Sequence, residues 1–157
     1  MARNKRRRAQ AIIIRDNCIL FAYGYARKSG ELRHFFVGGG IEDDETSEEA
    51  LFRELKEEAG VTGSIILKFS KELKEHHSTF LVDIGNQKCV LGYDPEDVDV
   101  PDEEKGLQQL LWISLEDKEF FNDIDRDYFR LLIGECKKQN RVFSWIPYIE
   151  KILKNNP

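Results

Sequence analysis

Gly38 to Val61 reads GGGIEDDETSEEALFRELKEEAGV. Its second half predicts a helix that opens at Thr46, since Glu49 three residues later completes a capping box. Gly60 is a natural C-terminal stop. At roughly 100° per residue, Glu57 and Glu58 fall about 60° to one side and about 40° to the other of Glu54. Leu51, Phe52, Leu55 and Ala59 cluster on another face, suited to packing on a sheet. Like charges at i,i+3 and i,i+4 cost a helix roughly a few tenths of a kcal/mol per pair, and Arg53 and Lys56 relieve this only partly. A charge run of this kind is commonly a solvated face. The same hard oxygens on one rigid face also suit Mg2+, which takes octahedral oxygen ligands at about 2.0–2.1 Å.

The glycines ahead of the helix let backbone approach a metal or a phosphate closely. No Gly-Lys-Ser/Thr follows them, which excludes a P-loop. Ile41 and Asp43 break the dinucleotide-binding fingerprint, and the loop lacks the Asp/Asn alternation and central Gly of an EF-hand.

Gly39, Glu45, Arg53, Glu54, Leu55, Glu57, Glu58, Gly60 and Val61 fall at the spacing G-x5-E-x7-R-E-U-x-E-E-x-G-U, with U aliphatic. On these residues the stretch 39–61 resembles a complete Nudix box. The resemblance implies an α/β fold, an α/β/α sandwich with a mixed central sheet and the box as loop–helix–loop. It implies a MutT-like pyrophosphohydrolase with Arg53, Glu54, Glu57 and Glu58 as its catalytic set. By position, Glu57 and Glu58 would be the principal Mg2+ ligands, with Mn2+ as a substitute ion. Glu54 would be a further ligand or the base that activates water, and the Gly39 carbonyl would complete the inner shell. Glu45 and Arg53 would orient these carboxylates. Many members place Pro before the paired glycines, whereas this chain has Val37, a difference in strand-end rigidity rather than chemistry.

Working outward, Ala9–Arg15 and Cys18–Tyr25 read as a hairpin turned at Asp16-Asn17. His34–Val37 reads as a short third strand. Beyond the box, Ser64–Ser70, Thr79–Ile84 and Gln108–Ile113 read as strands. Tyr93–Glu104, with seven acids and two of the four prolines, reads as a solvated loop. Phe120–Cys136 and Phe143–Leu153 read as helices, so that 120–157 forms a helical C-terminal part. Trp145, Ile149, Ile152 and Leu153 share one face at helical spacing, as core packing requires. With no repeat or linker, residues 1–157 are expected to form one domain.

The net charge of -5 conceals an asymmetry. Arg3, Lys5, Arg6, Arg7 and Arg8 are five of the 24 basic residues, and 1–8 reads as a flexible basic arm. Set apart from it, the chain from Ala9 onward carries 19 basic against 29 acidic residues. Such a body is a poor non-specific nucleic-acid binder but suits divalent cations. Cys18, Cys89 and Cys136 form no CxxC pair, which argues against a disulfide framework or a zinc site and for a reducing cytoplasm. The apolar run Ala11–Ile14 is broken by Arg15 and Asp16, too short for a signal or membrane segment.

The expected substrate is a small nucleoside diphosphate derivative such as a nucleoside triphosphate or nucleotide sugar, bound by a monomer or homodimer without nucleic acid or membrane. Specificity in this family lies outside the box. Arg27, Lys28 and Arg33 are phosphate-binding candidates, and Phe21, Tyr23, Tyr25 and Phe35 are candidates for stacking on a base. Glu96, Glu103 and Glu104 are alternative bases from the acidic loop. His76 and His77, as strand neighbours, cannot both face one site. Two other functions are compatible with the sequence: a non-catalytic nucleotide sensor, and an RNA 5'-end pyrophosphohydrolase using the basic arm. A carbon-chemistry isomerase acting on isoprenoid diphosphates is more remote.

Overall fold

A computed structural model describes residues 7–26, 29–92, 101 and 106–154. Its strands are β1 (Arg8–Ile12), β2 (Ile14–Arg15), β3 (Cys18–Tyr25), β4 (Leu32–Phe35), β5 (Val37–Gly40), β6 (Ser64–Lys68), β7 (His77–Asp83) and β8 (Leu107–Ser114). Its helices are α1 (Ser47–Ala59), α2 (Asp123–Lys138) and α3 (Ile146–Lys154), with a 3-10 turn at Lys118–Phe120.

The mixed sheet runs β5-β1-β7-β6. β1 pairs antiparallel with β5 and parallel with β7, and β6 pairs antiparallel with β7. In a second sheet β3 pairs antiparallel with β2, β4 and β8. The hairpin turn is where the sequence places it. Asp16 and Asn17 both have positive φ, 53° and 57°, as a tight two-residue turn between twisted strands requires. The first strand of that hairpin, however, is not continuous. It breaks at Ile13, sending β1 to one sheet and β2 to the other. The third strand likewise divides at Phe36 into β4 and β5, because its two halves pair with different sheets.

Burial on both faces gives the layered form. Along β1, Ala9 and Ala11 pack toward α1, while Ile12 packs toward α2 and α3. Along β3, Leu20 and Ala22 take the α1 side and Ile19 and Phe21 the other. This period of two is that of a strand covered on both sides. α1 buries Ala50, Leu51, Leu55 and Ala59 against Ala9, Val37, Phe80 and Val82. Fully burying each leucine contributes about 1.5–3 kcal/mol. On the opposite face Phe129, Leu132, Ile149 and Ile152 pack with Phe21, Phe36 and Leu81. The stripe expected on the last helix is therefore core, and Pro147 sits in that helix's first turn, where its missing N–H costs no intrahelical bond. No described helix is long and apolar enough to cross a membrane.

Candidate active site

α1 begins and ends as its sequence dictates. The Thr46 side chain accepts from the Glu49 amide at 3.1 Å, and the Glu49 carboxylate accepts from the Thr46 amide at 2.9 Å. Gly60 closes the helix in the left-handed region at φ 66°, where a Cβ would be strained. These ends orient the acidic arc toward the β5 strand that carries Gly38, Gly39 and Gly40.

Arg53 is the hub of the arc. Its Nε and Nη2 donate to Glu45 Oε2 and Oε1 at 2.7 and 2.8 Å. Nη2 also donates to the Gly40 carbonyl at 2.9 Å. Nη1 donates to Glu54 Oε1 at 2.9 Å and to Glu57 Oε2 at 3.3 Å. One guanidinium thus ties the loop, the strand and two carboxylates together with the planar fork geometry that lysine lacks. The Arg53 guanidinium holds the Glu45 carboxyl down at about 2, against the opposing effect of burial. Glu45 in turn is the main reason the Arg53 proton is held more tightly than in a free arginine.

Glu54 behaves differently. Its side chain is only 13% exposed. Burial pushes its carboxyl up from the ordinary range, although the hydrogen bond and charge of Arg53 oppose this, and the neighbouring Glu57 charge adds to the rise. Gly39 lies directly against it: a Cβ built there would overlap the Glu54 carboxylate. Glu58 accepts the Gly38 amide at 2.9 Å through Oε1. The structure therefore brings Gly39, Glu45, Arg53, Glu54, Glu57 and Glu58 together.

Among the described residues no three acids, histidines or cysteines converge as a preformed metal cage. Glu54 and Glu57 turn toward Arg53, and Glu58 toward the Gly38 amide. The donor set still fits a hard divalent cation. Glu45, Glu54 and Glu57 share one guanidinium, and the charge of Glu57 destabilises ionised Glu54. A dication offsets that excess and accepts carboxylate and carbonyl oxygens.

The residues expected to hold substrate are more scattered. Arg27 and Lys28 lie outside the described residues, as do Glu96, Glu103 and Glu104. Arg33, on β4, is 46% exposed and bonds to the loop that precedes the strand, at Ser29 and Glu31. Tyr23 and Phe35 are half-buried on β3 and β4, and Tyr25 is exposed. Phe21 is a correction: it is fully buried, edge-on to His34 and tilted against Phe36, so it is core and not a stacking platform. The acidic segment leaves the described structure beside the box. The Gly92 amide donates to the Glu58 carbonyl at 2.8 Å, and its other end returns where the Tyr25 amide meets the Gly106 carbonyl.

The basic arm is shorter than its composition suggests. Arg3, Lys5 and Arg6 lie outside the described residues, but Arg7 accepts the Ile41 amide through its carbonyl, and Arg8 opens β1. Sequence reasoning missed Arg8 as a site neighbour because it reads as one of a cationic run. The available signal was its position one residue before the apolar alternation of β1.

A protein-family model described as the NUDIX domain matches residues 5–132. The chain is similar in structure to a putative Nudix hydrolase family member from Chromobacterium violaceum, at 21% identity and a TM-score of 0.56, over 99% of this chain and 100% of that one. It is also similar to a MutT protein from Methanosarcina mazei Go1, at 20% identity and a TM-score of 0.54, over 86% of this chain and 94% of that one. At such identities the likeness is one of fold. A stretch of 37 residues, 24% of the chain, is 60% identical to an RNA pyrophosphohydrolase of Marinomonas sp. (strain MWYL1) and spans 23% of that protein's length.

Proposed function

The chain belongs to the NUDIX domain family, and on that premise we propose that it is a pyrophosphohydrolase, cleaving a diphosphate linkage in a small nucleoside diphosphate derivative with a divalent cation, Mg2+ or Mn2+. The observation that carries this reading is the acidic arc of α1: Glu54 and Glu57 are gathered on Arg53, and Glu54 lies against Gly39.

Glu57, Glu58 and the Gly39 carbonyl supply the oxygens that would hold the ion. A bound divalent cation lowers the pKa of coordinated water and offsets phosphate charge. Arg53 keeps Glu54 and Glu57 in a fixed relation, and the Glu45 carboxylate fixes Arg53. Glu54, buried and with raised proton affinity, is suited to accept the proton of the water that attacks phosphorus. Attack on one phosphorus of the P–O–P bridge releases two phosphate-bearing fragments. The acidic body from Ala9 onward suits a small substrate. Cys18, Cys89 and Cys136, all unpaired, fit a reducing cytoplasmic setting.

The short likeness to an RNA pyrophosphohydrolase favours a second reading, in which the diphosphate linkage lies at an RNA 5' end.

The test is incubation with Mg2+ and a panel of nucleoside triphosphates, nucleotide sugars, ADP-ribose, dinucleoside polyphosphates and a 5'-triphosphate RNA, with and without EDTA. EDTA-sensitive cleavage of a small nucleotide supports the first reading, and cleavage confined to the RNA supports the second. A compound that raises the melting temperature but is never cleaved would make the protein a nucleotide sensor and overturn both.

A further inference from the structure

At the end of β1 that pairs with the glycines of the box stands a cation that the box does not contain. Arg8 pairs in register with Gly40 on one side and with His77 on the other. Its neighbour Ala9 pairs with Gly39, so Arg8 sits at the box end of β1. The side chain is half-buried and fixed: Nη2 donates to the Phe36 carbonyl at 2.9 Å and Nε to Gln10 Oε1 at 3.1 Å. Behind Gln10 lies a buried polar chain. Gln10 Nε2 donates to Thr79 Oγ1 at 3.1 Å, and the Tyr128 phenol stands near enough to both side chains for them to oppose the burial that pushes it up. Gln10, Thr79 and Tyr128 are 5%, 2% and 3% exposed.

Buried polar groups of this kind are costly unless fully bonded, and an apolar set would pack the same space with less constraint. What the polar chain adds is a set direction for the group at its end. That group's charge reaches groups on three different elements. Burial pushes the Glu54 carboxyl on α1 and the Tyr128 phenol on α2 up and the His77 imidazole on β7 down; the Arg8 charge opposes the first two shifts and adds to the third. An arginine held in a fixed plane is the side chain best matched to phosphate oxygens.

We propose that Arg8 binds a phosphate of the substrate beside Glu54, and that Gln10, braced by Thr79 and Tyr128, positions it. This assignment rests on the hydrolase reading of the site. In the reaction Arg8 neither takes nor gives a proton; it orients the phosphate chain against the carboxylates.

The test uses the whole protein with Mg2+. Affinity for inorganic pyrophosphate is measured by titration calorimetry, and KM and kcat on whichever substrate is cleaved, for wild type, Arg8→Met, Arg8→Lys and Tyr128→Phe. Arg8→Met should weaken pyrophosphate at least tenfold and raise KM more than it lowers kcat. Arg8→Lys keeps the charge without the fork and should fall between. Tyr128→Phe should raise KM several-fold, a split that a merely stabilising tyrosine would not produce. Should Arg8→Met fold poorly, Arg8→Lys alone decides, with a threefold or greater loss of pyrophosphate affinity expected. Unchanged affinity in the Arg8 variants overturns the assignment and leaves the hydrolase reading intact. A wild type that neither binds pyrophosphate nor cleaves any diphosphate overturns both.

Discussion

Arg53 grips Glu45 through both ends of a fork, at 2.7 and 2.8 Å, and so ties the loop ahead of α1 to the helix's second turn. The same guanidinium reaches Glu54 and Glu57, so the loop conformation and the carboxylate arrangement are set by one side chain.

This pair makes acid stability a direct readout. The folded-state pKa of Glu45, about 2, lies below the ordinary carboxylate value of 4.5. Its contribution is therefore full above about pH 4.5 and is lost as pH falls toward 2. Glu45→Gln should destabilise the metal-free protein at neutral pH by about 1.5–3 kcal/mol, as loss of a charge-assisted bond does. Denaturant melts in EDTA from pH 7 to pH 2 should show the wild-type and variant curves converging at the acid end. Parallel curves would mean that Glu45 is not held ionised by Arg53.

Glu54 carries the opposite sign. Burial raises its carboxyl above the ordinary range, so its ionised form costs stability once the pH exceeds the unfolded value, and the cost disappears in acid. Glu54→Gln should raise the metal-free melting temperature at neutral pH. A gain of about 1 kcal/mol corresponds to roughly 2–4 °C in a domain of this size. Turnover should fall sharply in the same variant, the trade between stability and activity that strained sites show. A more stable variant with full activity would remove Glu54 from the chemistry.

Glu57→Gln preserves shape and removes a charge from the proposed ion site. Turnover should drop by about two orders of magnitude or more, the scale on which loss of a preorganised electrostatic contact acts, while circular dichroism stays unchanged. In the wild type, Mg2+ at a hundredfold excess over its dissociation constant should stabilise by about 2.7 kcal/mol. That gain should shrink in the variant. A Glu57→Gln protein with the wild-type rate and the wild-type Mg2+ response would place the ion elsewhere.

Gly39→Ala tests the contact between strand and helix. The added methyl would overlap the Glu54 carboxylate, and relief requires Glu54 or α1 to shift. A cost of about 1–3 kcal/mol is expected for such overpacking, with turnover reduced because Glu54 leaves its place. Retained activity would show that the Glu54 side chain has room to turn away harmlessly.

Much of this protein was legible in the order of its residues. Thr46, Glu49 and Gly60 delimit α1 by local hydrogen bonding alone, and the spacing of Glu54, Glu57 and Glu58 places them on one arc because a helix has a fixed pitch. Asp16-Asn17 names its own turn for the same reason, since its backbone angles are a local matter. The sequence also named Arg53 and Glu45 as bracing residues, though only by resemblance. What it did not contain was the partner of each strand. β1 lies between β5 and β7, from positions some thirty and seventy residues away, and strand pairing of that range depends on the burial of both faces at once. For that reason the breaks at Ile13 and Phe36 could not be read from a continuous apolar run, and Phe21 stood among the candidates for stacking on a base. The same pairing lifted Arg8 out of a basic run and set it beside Gly40 and His77. Sequence determined which residues form the acidic arc, because helical periodicity is local; the tertiary structure decided what faces it, because that depends on which distant strands the core brings together.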